Sequence, residues 1–282
     1  MKKLLVLGGT GMLGSPVARR LLDDGFEVRL LARDPKRART IVGDSFDIVA
    51  GDITDVSSLE RGLAGCEGVH ISIGGPVDRL SAENVAALAP GSGLKRITYL
   101  SGATVSEENR WFPMIAQKLD AEKAIIGCGV PHTIFYPTWP MEQLPRLARG
   151  GEPILISDRP HPYHWFAADD LGRMVSMAYQ REEAAGKRLF VHGPEAMAMK
   201  EALERYCRVF HPEVESVSVM PVDAARAVAK STGNQTLGFF AELMAYFDQA
   251  GEMGDPAEAN RLLGAPTTTL EAWIEQRKAG ME

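Results

Sequence analysis

The sequence predicts an α/β protein built on a doubly wound parallel sheet, followed by a smaller and mainly helical C-terminal region. Two observations support this fold class. Short apolar runs alternate with amphipathic stretches through the first half of the chain, and after Pro137 prolines become frequent and the pattern turns mostly helical. Strands separated by helices form βαβ units with right-handed crossovers, which cover both faces of a parallel sheet. In such a sheet, ligands bind at the carboxyl ends of the strands.

Six apolar runs are predicted to form strands of this sheet, and the amphipathic stretches between them are predicted to form helices. The strands are expected at residues 3–7, 27–32, 46–50, 68–73, 96–101 and 132–136. The helices are expected at residues 12–24, 35–42, 56–64, 80–88 and 111–126.

The C-terminal half is less regular. Short strands are predicted at residues 153–156 and 188–192, a helix at residues 169–180, and mostly helix from Met197 onward. No clean linker separates the two halves of the chain. We therefore expect one domain over residues 1–150, and a substrate-binding or lid region over residues 151–282 that is intertwined with it.

Composition excludes several classes of protein. The 282 residues are 45% hydrophobic and 24% charged, which is ordinary for a globular chain with a sizeable core. The net charge of −6 opposes a nucleic-acid-binding function. The three cysteines lie far apart and favour a reducing compartment. The N-terminal apolar run ends at Gly8, too early for a signal peptide, and no stretch reaches the roughly 20 apolar residues of a membrane span. We expect a cytoplasmic protein without a membrane or nucleic-acid partner.

A glycine-rich turn joins the first predicted strand to the first predicted helix. Gly9, Gly11 and Gly14 fit the pattern G-x-G-x-x-G, and Gly8, Gly11 and Gly14 fit G-x-x-G-x-x-G. Glycine permits a tight turn and a close backbone approach, and the N–H groups at a helix start bind a pyrophosphate. The turn is therefore predicted to hold a dinucleotide; a glycine turn without a ligand is the plain structural alternative. The predicted contacts are Gly8, Thr10, Gly11, Met12, Leu13 and Gly14.

The end of the second strand indicates which dinucleotide is bound. An acid at this position bonds the ribose 2′-hydroxyl of NAD, whereas an arginine accommodates the 2′-phosphate of NADP. Arg33 occupies the position with Lys36 and Arg37 close by, so we favour NADP(H) over NAD(H), with Arg33 and Arg37 as contacts. Asp34 is the competing acid, but it precedes Pro35 and is expected to cap the following helix. A solvated basic helix start is the alternative for the three cations.

Two further strand ends add predicted cofactor contacts. Asp52 ends the third strand, where it would accept a hydrogen bond from the adenine amino group while Ile53 packs on the ring. Asp55 is expected to cap the next helix. The fourth strand ends in small residues that let a ribose lie against the backbone, although a plain loop explains the glycines nearly as well. These predicted contacts are Ser72, Ile73 and Gly74.

Together these features resemble the short-chain dehydrogenase/reductase superfamily, and within it the atypical branch that contains NmrA-like proteins and isoflavone-reductase-like enzymes. The matching features cover most of residues 1–180. In order, they are Gly8-x-x-Gly11-x-x-Gly14, the Arg33 strand end, Gly51-Asp52-x-x-Asp55, residues 95–101, Lys118 with Glu122, and residues 129–137. The resemblance implies a Rossmann-type NAD(P)-binding domain. It also implies that Pro137 and Thr138 lie where the family's backbone meets the carboxamide of the cofactor.

The chain departs from the family at the catalytic tyrosine. Classical members carry Tyr-x-x-x-Lys, in which the tyrosine transfers a proton while the lysine lowers its pKa and holds the nicotinamide ribose. Here Met114 stands at the tyrosine position and Lys118 is retained. The resemblance implies catalytic roles for Lys118, as ribose clamp or proton donor, and for Ser101, as a hydrogen-bond donor to a substrate carbonyl. The alternatives are a surface ion pair between Lys118 and Glu122, four residues apart, and a satisfied strand-end hydroxyl at Ser101.

The six histidines form no recognised metal-binding spacing, so no metal site is predicted. His161, Tyr163 and His164 belong to one aromatic cluster that precedes the helix at residues 169–180. His164 or Tyr163 would replace the missing tyrosine if this cluster lined a substrate pocket. Packing together with a helix cap is the simpler interpretation.

Two functions fit these observations. The leading hypothesis is an NADP-dependent oxidoreductase of the atypical short-chain type, which reduces a small organic molecule with a proton from Ser101, Lys118 or water. The second is a non-catalytic dinucleotide sensor, in which ligand binding shifts a surface for a regulatory protein partner. A homodimer is compatible with both. A nucleotide-sugar epimerase is disfavoured, because that chemistry also uses the tyrosine.

Overall fold

The computed structural model describes residues 2–149 and 152–280. Its strands are β1 (Lys3–Leu7), β2 (Glu27–Ala32), β3 (Asp47–Ala50), β4 (Gly68–Ile71), β5 (Arg96–Leu100), β6 (His132–Pro137), β7 (Ile154–Ile156), β8 (Pro162–Trp165), β9 (Lys187–Val191), β10 (Glu195–Ala198) and β11 (Ser218–Met220). Its α-helices are α1 (Gly14–Asp23), α2 (Pro35–Val42), α3 (Val56–Leu63), α4 (Asp78–Leu88), α5 (Pro113–Gly127), α6 (Leu144–Leu147), α7 (Ala168–Gln180), α8 (Met199–Phe210), α9 (Val222–Thr232), α10 (Gln235–Ala250), α11 (Ala257–Leu263) and α12 (Leu270–Ala279). None of the helices described here is long and apolar enough to span a membrane.

The chain divides into two compact units, each made of several stretches of sequence. The first unit comprises Met1–Pro137, Ala168–Val191 and Asp255–Pro266. The second unit comprises Thr138–Ala167, His192–Gly254 and Thr267–Glu282.

The first unit is built on a seven-stranded sheet with the order β3-β2-β1-β4-β5-β6-β9. All neighbouring strands in it are parallel. The chain runs outward from β1 to β3 and then returns to β4 on the other side of β1. With right-handed crossovers, this reversal places helices on both faces of the sheet. The predicted doubly wound α/β fold is confirmed.

Burial explains why these segments form a parallel sheet. The four last residues of β1 and all residues of β4 and β5 are buried. Such near-continuous burial is typical of strands that helices cover on both faces. The predicted strands 68–73 and 96–101 end earlier, at Ile71 and Leu100, because the chain leaves the sheet there. The strand predicted at 188–192 is β9, which lies at the sheet edge beside β6.

The second unit has its own core and two small sheets. β8 pairs with β10 in antiparallel fashion, and β7 pairs with β11 in parallel. Trp165, Tyr206 and Trp273 are among the buried residues of this core, together with aliphatic side chains from α8 and α12. The sequence analysis predicted β7 but not β8, β10 or β11. These strands are only three or four residues long and depend on pairing between distant segments, so no local period marks them.

A buried polar chain crosses the core of the first unit. His70 Nδ1 lies 2.8 Å from Thr98 Oγ1, which in turn lies 2.9 Å from the hydroxyl of Tyr179. His70 and Thr98 are fully buried. Burial lowers the pKa of His70 from 6.5 to about 3, so the folded protein holds this imidazole in its neutral form.

We expect the neutral His70 to make the fold sensitive to acid. A histidine whose folded pKa is depressed contributes stability above its unfolded pKa of about 6.5, and that stability is lost as the pH falls toward the folded value. Between about pH 7.5 and about pH 5.5 the wild type should lose about 1.4 kcal/mol more unfolding free energy than His70→Leu. Urea denaturation of both proteins at the two pH values measures this difference. Equal losses of unfolding free energy in the two proteins would contradict this expectation, because the two proteins share every other titrating group.

Candidate functional site

The turn after β1 is closed by its own backbone. Gly8 has a φ of +81°, and a methyl group on its Cα would overlap the carbonyl oxygen of Ser72. The N–H of Gly11 donates to the carbonyl of Gly8 over 2.8 Å. A methyl group on Gly14 would overlap that same Gly8 carbonyl. Glycine is therefore required at Gly8 and Gly14 by the turn itself. For Gly14 the close neighbour is the backbone of the turn itself.

The start of α1 is suited to an anion. The first N–H groups of a helix have no intrahelical acceptor, and the helix dipole places partial positive charge there. No side-chain hydrogen bond caps the helix at Leu13, and its first turn contains no acidic residue. A phosphate bound here would accept from these N–H groups without competition from a carboxylate of the helix. Met12, Leu13 and Gly14 belong to this segment.

A cleft of about 730 Å³ opens at the carboxyl ends of β1, β2, β3 and β4. It brings together ten residues that the sequence analysis named as cofactor contacts. They are Gly8, Thr10, Gly11, Arg33, Arg37, Asp52, Ile53, Ser72, Ile73 and Gly74. Most of the apolar lining was not predicted from the sequence. It includes Leu31, Ala38, Ile41 and Val77. These side chains belong to no motif and line the cleft because the fold places the strand ends and α2 next to each other.

One end of the cleft is basic. Arg33 and Arg37 are exposed and line it, whereas Lys36 does not. The carboxylate of Asp34 accepts the backbone N–H of Arg37 over 3.0 Å and so caps α2, as expected from the sequence. One oxygen of Asp34, the acid at this strand end, is therefore used to cap α2.

The end of β3 presents an oriented carboxylate. Hydrogen bonds from the N–H and the hydroxyl of Thr54, both 2.8 Å long, hold Oδ1 of Asp52 and lower its pKa. Arg33 adds a further favourable interaction with the ionised form. Asp55 caps α3 through the N–H groups of Ser57 and Ser58, as expected. Asp52 therefore remains ionised, with its second oxygen beside the cleft.

Lys118 is held in a buried ion pair. Its Nζ lies 2.7 Å from Asp78 Oδ2, donates to the carbonyl of Leu100 over 2.8 Å, and stands 4.8 Å from the ring centre of Tyr99. The hydroxyl of Tyr99 donates to the same carboxylate. Burial raises the pKa of Asp78, and the attraction of Lys118 opposes this. The alternative of an exposed pair between Lys118 and Glu122 is wrong, because Glu122 is buried and has other partners.

Glu122 is the centre of a second buried network. The hydroxyls of Ser101 and Tyr136 each donate to its carboxyl group over 2.5 Å, and Arg188 Nη2 lies 3.5 Å from Oε2. Only 1% of the Glu122 surface is exposed. Burial raises the pKa of this carboxyl, although the two hydroxyls and Arg188 favour its ionised form. Ser101 directly follows β5, so this network lies at the carboxyl edge of the sheet.

The remaining predicted contacts lie at the end of β6. Pro137 is the last residue of β6 and is buried in the first unit. Thr138 begins the second unit, where its hydroxyl donates to the carbonyl of His164. Met114, at the position of the family's tyrosine, is partly exposed in the first turn of α5.

The fold and the cleft define a dinucleotide-binding α/β protein, with a glycine turn at a helix start and small residues at neighbouring strand ends. Within this class the chain belongs to the NAD(P)H-binding family, whose model matches residues 8–154.

Relatives with several different names are similar to this chain. A (4-alkanoyl-5-oxo-2,5-dihydrofuran-3-yl)methyl phosphate reductase from Streptomyces griseus is 29% identical over 235 residues, 79% of this chain and 79% of the relative. The photosystem II assembly factor Ycf39 from Trieres chinensis is 22% identical over 250 residues, 84% of this chain and 76% of the relative. An NmrA-like family domain-containing oxidoreductase from Aspergillus japonicus is 29% identical over 174 residues, 55% of this chain and 53% of the relative. The resemblance to NmrA-like proteins is confirmed.

Solved structures share the fold over nearly the whole chain. An NADPH-dependent quinone oxidoreductase from Escherichia coli, complexed with NADPH, has a TM-score of 0.78 at 19% identity and covers 98% of this chain and 99% of its own. The Citrobacter sp. triphenylmethane reductase, complexed with NADP(H), has a TM-score of 0.76 at 18% identity and covers 97% of this chain and 99% of its own. At these identities the likeness establishes the fold.

We expect Gly14→Ala to destabilise the protein even without a ligand, because its methyl group must displace the backbone of Gly8. The cost should be about 1–3 kcal/mol of unfolding free energy, as for other overpacking changes. Gly74→Ala is the matched control, since Gly74 also lines the cleft but a methyl group there meets nothing within 4 Å. Chemical denaturation of the ligand-free proteins measures both changes. Equal stability of the two variants would contradict the role assigned to Gly14.

Proposed function

We propose that the protein is an NADP-dependent reductase of the atypical short-chain type that acts on a small organic molecule. The observation that carries the proposal is a pair of neighbouring features at one edge of the sheet. A cleft ends in Arg33 and Arg37, and a buried acid, Glu122, is hydrogen-bonded to Ser101 at the end of β5. The first suits a phosphorylated dinucleotide, and the second suits the delivery of a proton. The free cysteines Cys66 and Cys207 are buried, which agrees with a cytoplasmic location.

The cleft residues fit NADP. The glycine turn leaves no space for side chains between β1 and β4, so a pyrophosphate would meet backbone N–H groups at the start of α1. Arg33 and Arg37 would bind the 2′-phosphate, because guanidinium groups form strong charge-assisted hydrogen bonds with phosphate. One oxygen of Asp34 already accepts the N–H of Arg37 at the start of α2, which makes this residue less suited to bind the ribose 2′-hydroxyl of NAD.

The reduction of a carbonyl or an activated alkene needs a hydride and a proton. The bound NADPH supplies the hydride. Burial raises the pKa of Glu122, and this favours a carboxyl group that can hold a proton. With Glu122 protonated, its carboxyl would donate to Ser101 Oγ across the 2.5 Å contact, and the Ser101 hydroxyl would pass its own proton to the substrate. Tyr136 and Arg188 would then stabilise the carboxylate that remains.

Lys118 has an organising role in this scheme. Two of its three N–H donors point to Asp78 and to the carbonyl of Leu100, the residue before Ser101. It therefore fixes the end of β5 on which Ser101 stands. A ribose hydroxyl would be bound through the remaining N–H, which is the clamp function that the family resemblance implies.

The substrate class follows from the chemistry and from the relatives. A proton relay that ends in a neutral hydroxyl suits electrophiles such as quinones, ketones and activated lactones. The Streptomyces griseus relative is named as a reductase of an oxo-dihydrofuran phosphate, and the Escherichia coli structure as a quinone oxidoreductase. An unsaturated lactone and a quinone are therefore the first substrates to test.

A second candidate function is a non-catalytic dinucleotide sensor with a protein partner. Met114 favours it, because the family's proton-transferring tyrosine is absent. The relative named as a photosystem II assembly factor also favours it. A sensor requires the dinucleotide cleft but has no use for a proton at Glu122. The two functions therefore differ in what changes at Glu122 should do.

We expect Arg33→Ala and Arg37→Ala each to weaken NADPH binding about 10- to 100-fold, the value of a lost charge-assisted hydrogen bond. Their effect on NADH should be small, because NADH lacks the 2′-phosphate. Lys36→Ala is the control, since Lys36 is basic and nearby but lies outside the lining of the cleft. Calorimetric titration of each protein with both dinucleotides measures the constants. Equal losses for NADPH and NADH would overturn the phosphate assignment.

We expect Glu122→Gln to lower kcat/KM about 100-fold or more, as loss of a general acid does, with NADPH affinity unchanged. In the wild type, kcat/KM should fall as rising pH ionises Glu122, and this fall should be absent in Glu122→Gln.

Tyr136→Phe should remain active, but the fall of kcat/KM should move to higher pH. The substitution removes a hydrogen-bond donor that stabilises the ionised carboxylate, so the pKa of Glu122 should rise.

Stopped-flow oxidation of NADPH with a quinone and an unsaturated lactone provides these pH profiles. An unchanged kcat/KM in Glu122→Gln would overturn the relay while leaving the reductase standing. Tight NADPH binding without turnover of quinones, ketones, lactones or activated alkenes would instead establish the sensor.

A further inference from the structure

Two histidines and a glutamate converge in the second unit. His164 lies on β8, His192 directly follows β9, and Glu252 follows α10. Nδ1 of His164 lies 2.5 Å from Oε2 of Glu252, and Nδ1 of His192 lies 3.9 Å from the same oxygen. One ligand atom from each residue lies within 4.8 Å of the other two. His192 and Glu252 are largely buried, whereas the His164 side chain is 39% exposed.

The backbone fixes each of these groups. The second oxygen of Glu252 accepts the backbone N–H of His164 over 2.7 Å, so both its oxygens are oriented. Nε2 of His192 lies 3.2 Å from the carbonyl of Met253, which favours the tautomer with hydrogen on Nε2 and directs Nδ1 toward Glu252. Thr138 donates to the carbonyl of His164. At metal sites, a ligating histidine commonly donates the N–H of its other ring nitrogen to a backbone carbonyl, which fixes the orientation of the ring.

A glycine permits the close approach of the two histidines. The N–H of Gly193 donates to the carbonyl of His164 over 3.3 Å. A methyl group on Gly193 would overlap the carbonyl of Trp165, so any other residue here would push His192 away from β8. As a result the two imidazole rings stack, with centroids 5.5 Å apart and planes inclined by 23°.

The donor set decides what this cluster can hold. A divalent cation satisfies both imidazoles and the carboxylate at once. Ligand atoms at tetrahedral Zn²⁺, with bonds of about 2.0–2.1 Å, lie about 3.3 Å apart. The separations of 2.5 Å and 3.9 Å from the Glu252 oxygen lie on either side of this value, and the ligand nitrogens of the two histidines lie within 4.8 Å of each other. Shifts of up to about 1.5 Å therefore bring the three atoms to this geometry.

The geometry points to a binding site for one Zn²⁺ ion, formed by His164, His192 and Glu252, which goes beyond the proposed reductase function and does not depend on it. Nitrogen ligands select a borderline cation such as Zn²⁺ over Mg²⁺ and Ca²⁺, which prefer oxygen. Three protein ligands leave a fourth position for water or another small donor, as in other sites with two histidines and a glutamate. The residues are 28 and 60 positions apart in sequence, so no spacing motif marks them.

The test uses the untagged full chain, stripped with EDTA and titrated with Zn²⁺ by calorimetry. We expect one equivalent to bind and to raise the unfolding temperature. His192→Ala and Glu252→Gln should each weaken binding more than about 100-fold, since loss of outer partners alone costs about 10- to 100-fold. His211→Ala is the matched control. It removes a histidine that pairs with a carboxylate, Glu213, over 3.2 Å at an exposed position.

Two further readouts on the wild type keep the proposal testable if a variant fails to fold. Co²⁺ in place of Zn²⁺ should give the visible absorption of a tetrahedral site. Imidazole NMR resonances should shift for two of the six histidines when Zn²⁺ is added. Absence of stoichiometric binding, or equal binding by the wild type and His192→Ala, would overturn the site. The cluster would then be an ion pair between His164 and Glu252 only.

Discussion

A close backbone approach at the carboxyl edge of the sheet fixes the turn after β1 against the end of β4. Gly8, with a φ of +81°, lies against the carbonyl of Ser72, whose own N–H donates to Leu7 over 3.0 Å. The position of α1 depends on this contact, because Gly14 at its start is in turn pressed against Gly8. The strand order also reverses at this pair of strands, so the same contact sets one wall of the cleft. A larger residue at Gly8 would displace the helix start and the cleft together.

Two buried carboxyl groups near the end of β5 show how partners decide the chemistry of an acid. Asp78 faces the full positive charge of Lys118 at 2.7 Å, which opposes the cost of burying its ionised form. Glu122 has two neutral hydroxyl donors, and its nearest cation, Arg188, is 3.5 Å away and more than half exposed. Burial is the leading influence on both carboxyl groups and raises the pKa of each. In the proposed reductase the first carboxyl group anchors a lysine, and the second lies where it can exchange a proton with Ser101.

Local signals explain which parts of the molecule could be predicted from the sequence. The alternation of apolar runs and amphipathic stretches marked β1, β2 and α2 to the residue, and Asp34 before Pro35 marked a capped helix that the structure contains. Such patterns repeat every two or 3.6 residues and need no knowledge of distant neighbours. The partner of Lys118 is Asp78, forty positions earlier, and helical spacing pointed to Glu122 instead. The pairing of β8 with β10 and the convergence of His164 with Glu252 likewise arise only when distant segments meet.

The absence of a tyrosine at position 114 changes which group can give a proton near neutral pH. Tyr99 and Tyr136 stand close to Lys118 and Glu122, but burial raises the pKa of both phenols above their ordinary value of 10. A phenol with a raised pKa is a poorer acid than the tyrosine that the family uses. Burial moves a carboxyl from its ordinary value of 4.5 upward, toward the pH at which a general acid works best. In the proposed reductase, the same desolvation that makes the two tyrosines poorer acids therefore favours Glu122 as the proton donor. Tyr136 keeps a useful part, because its hydroxyl steadies the carboxylate once the proton has gone.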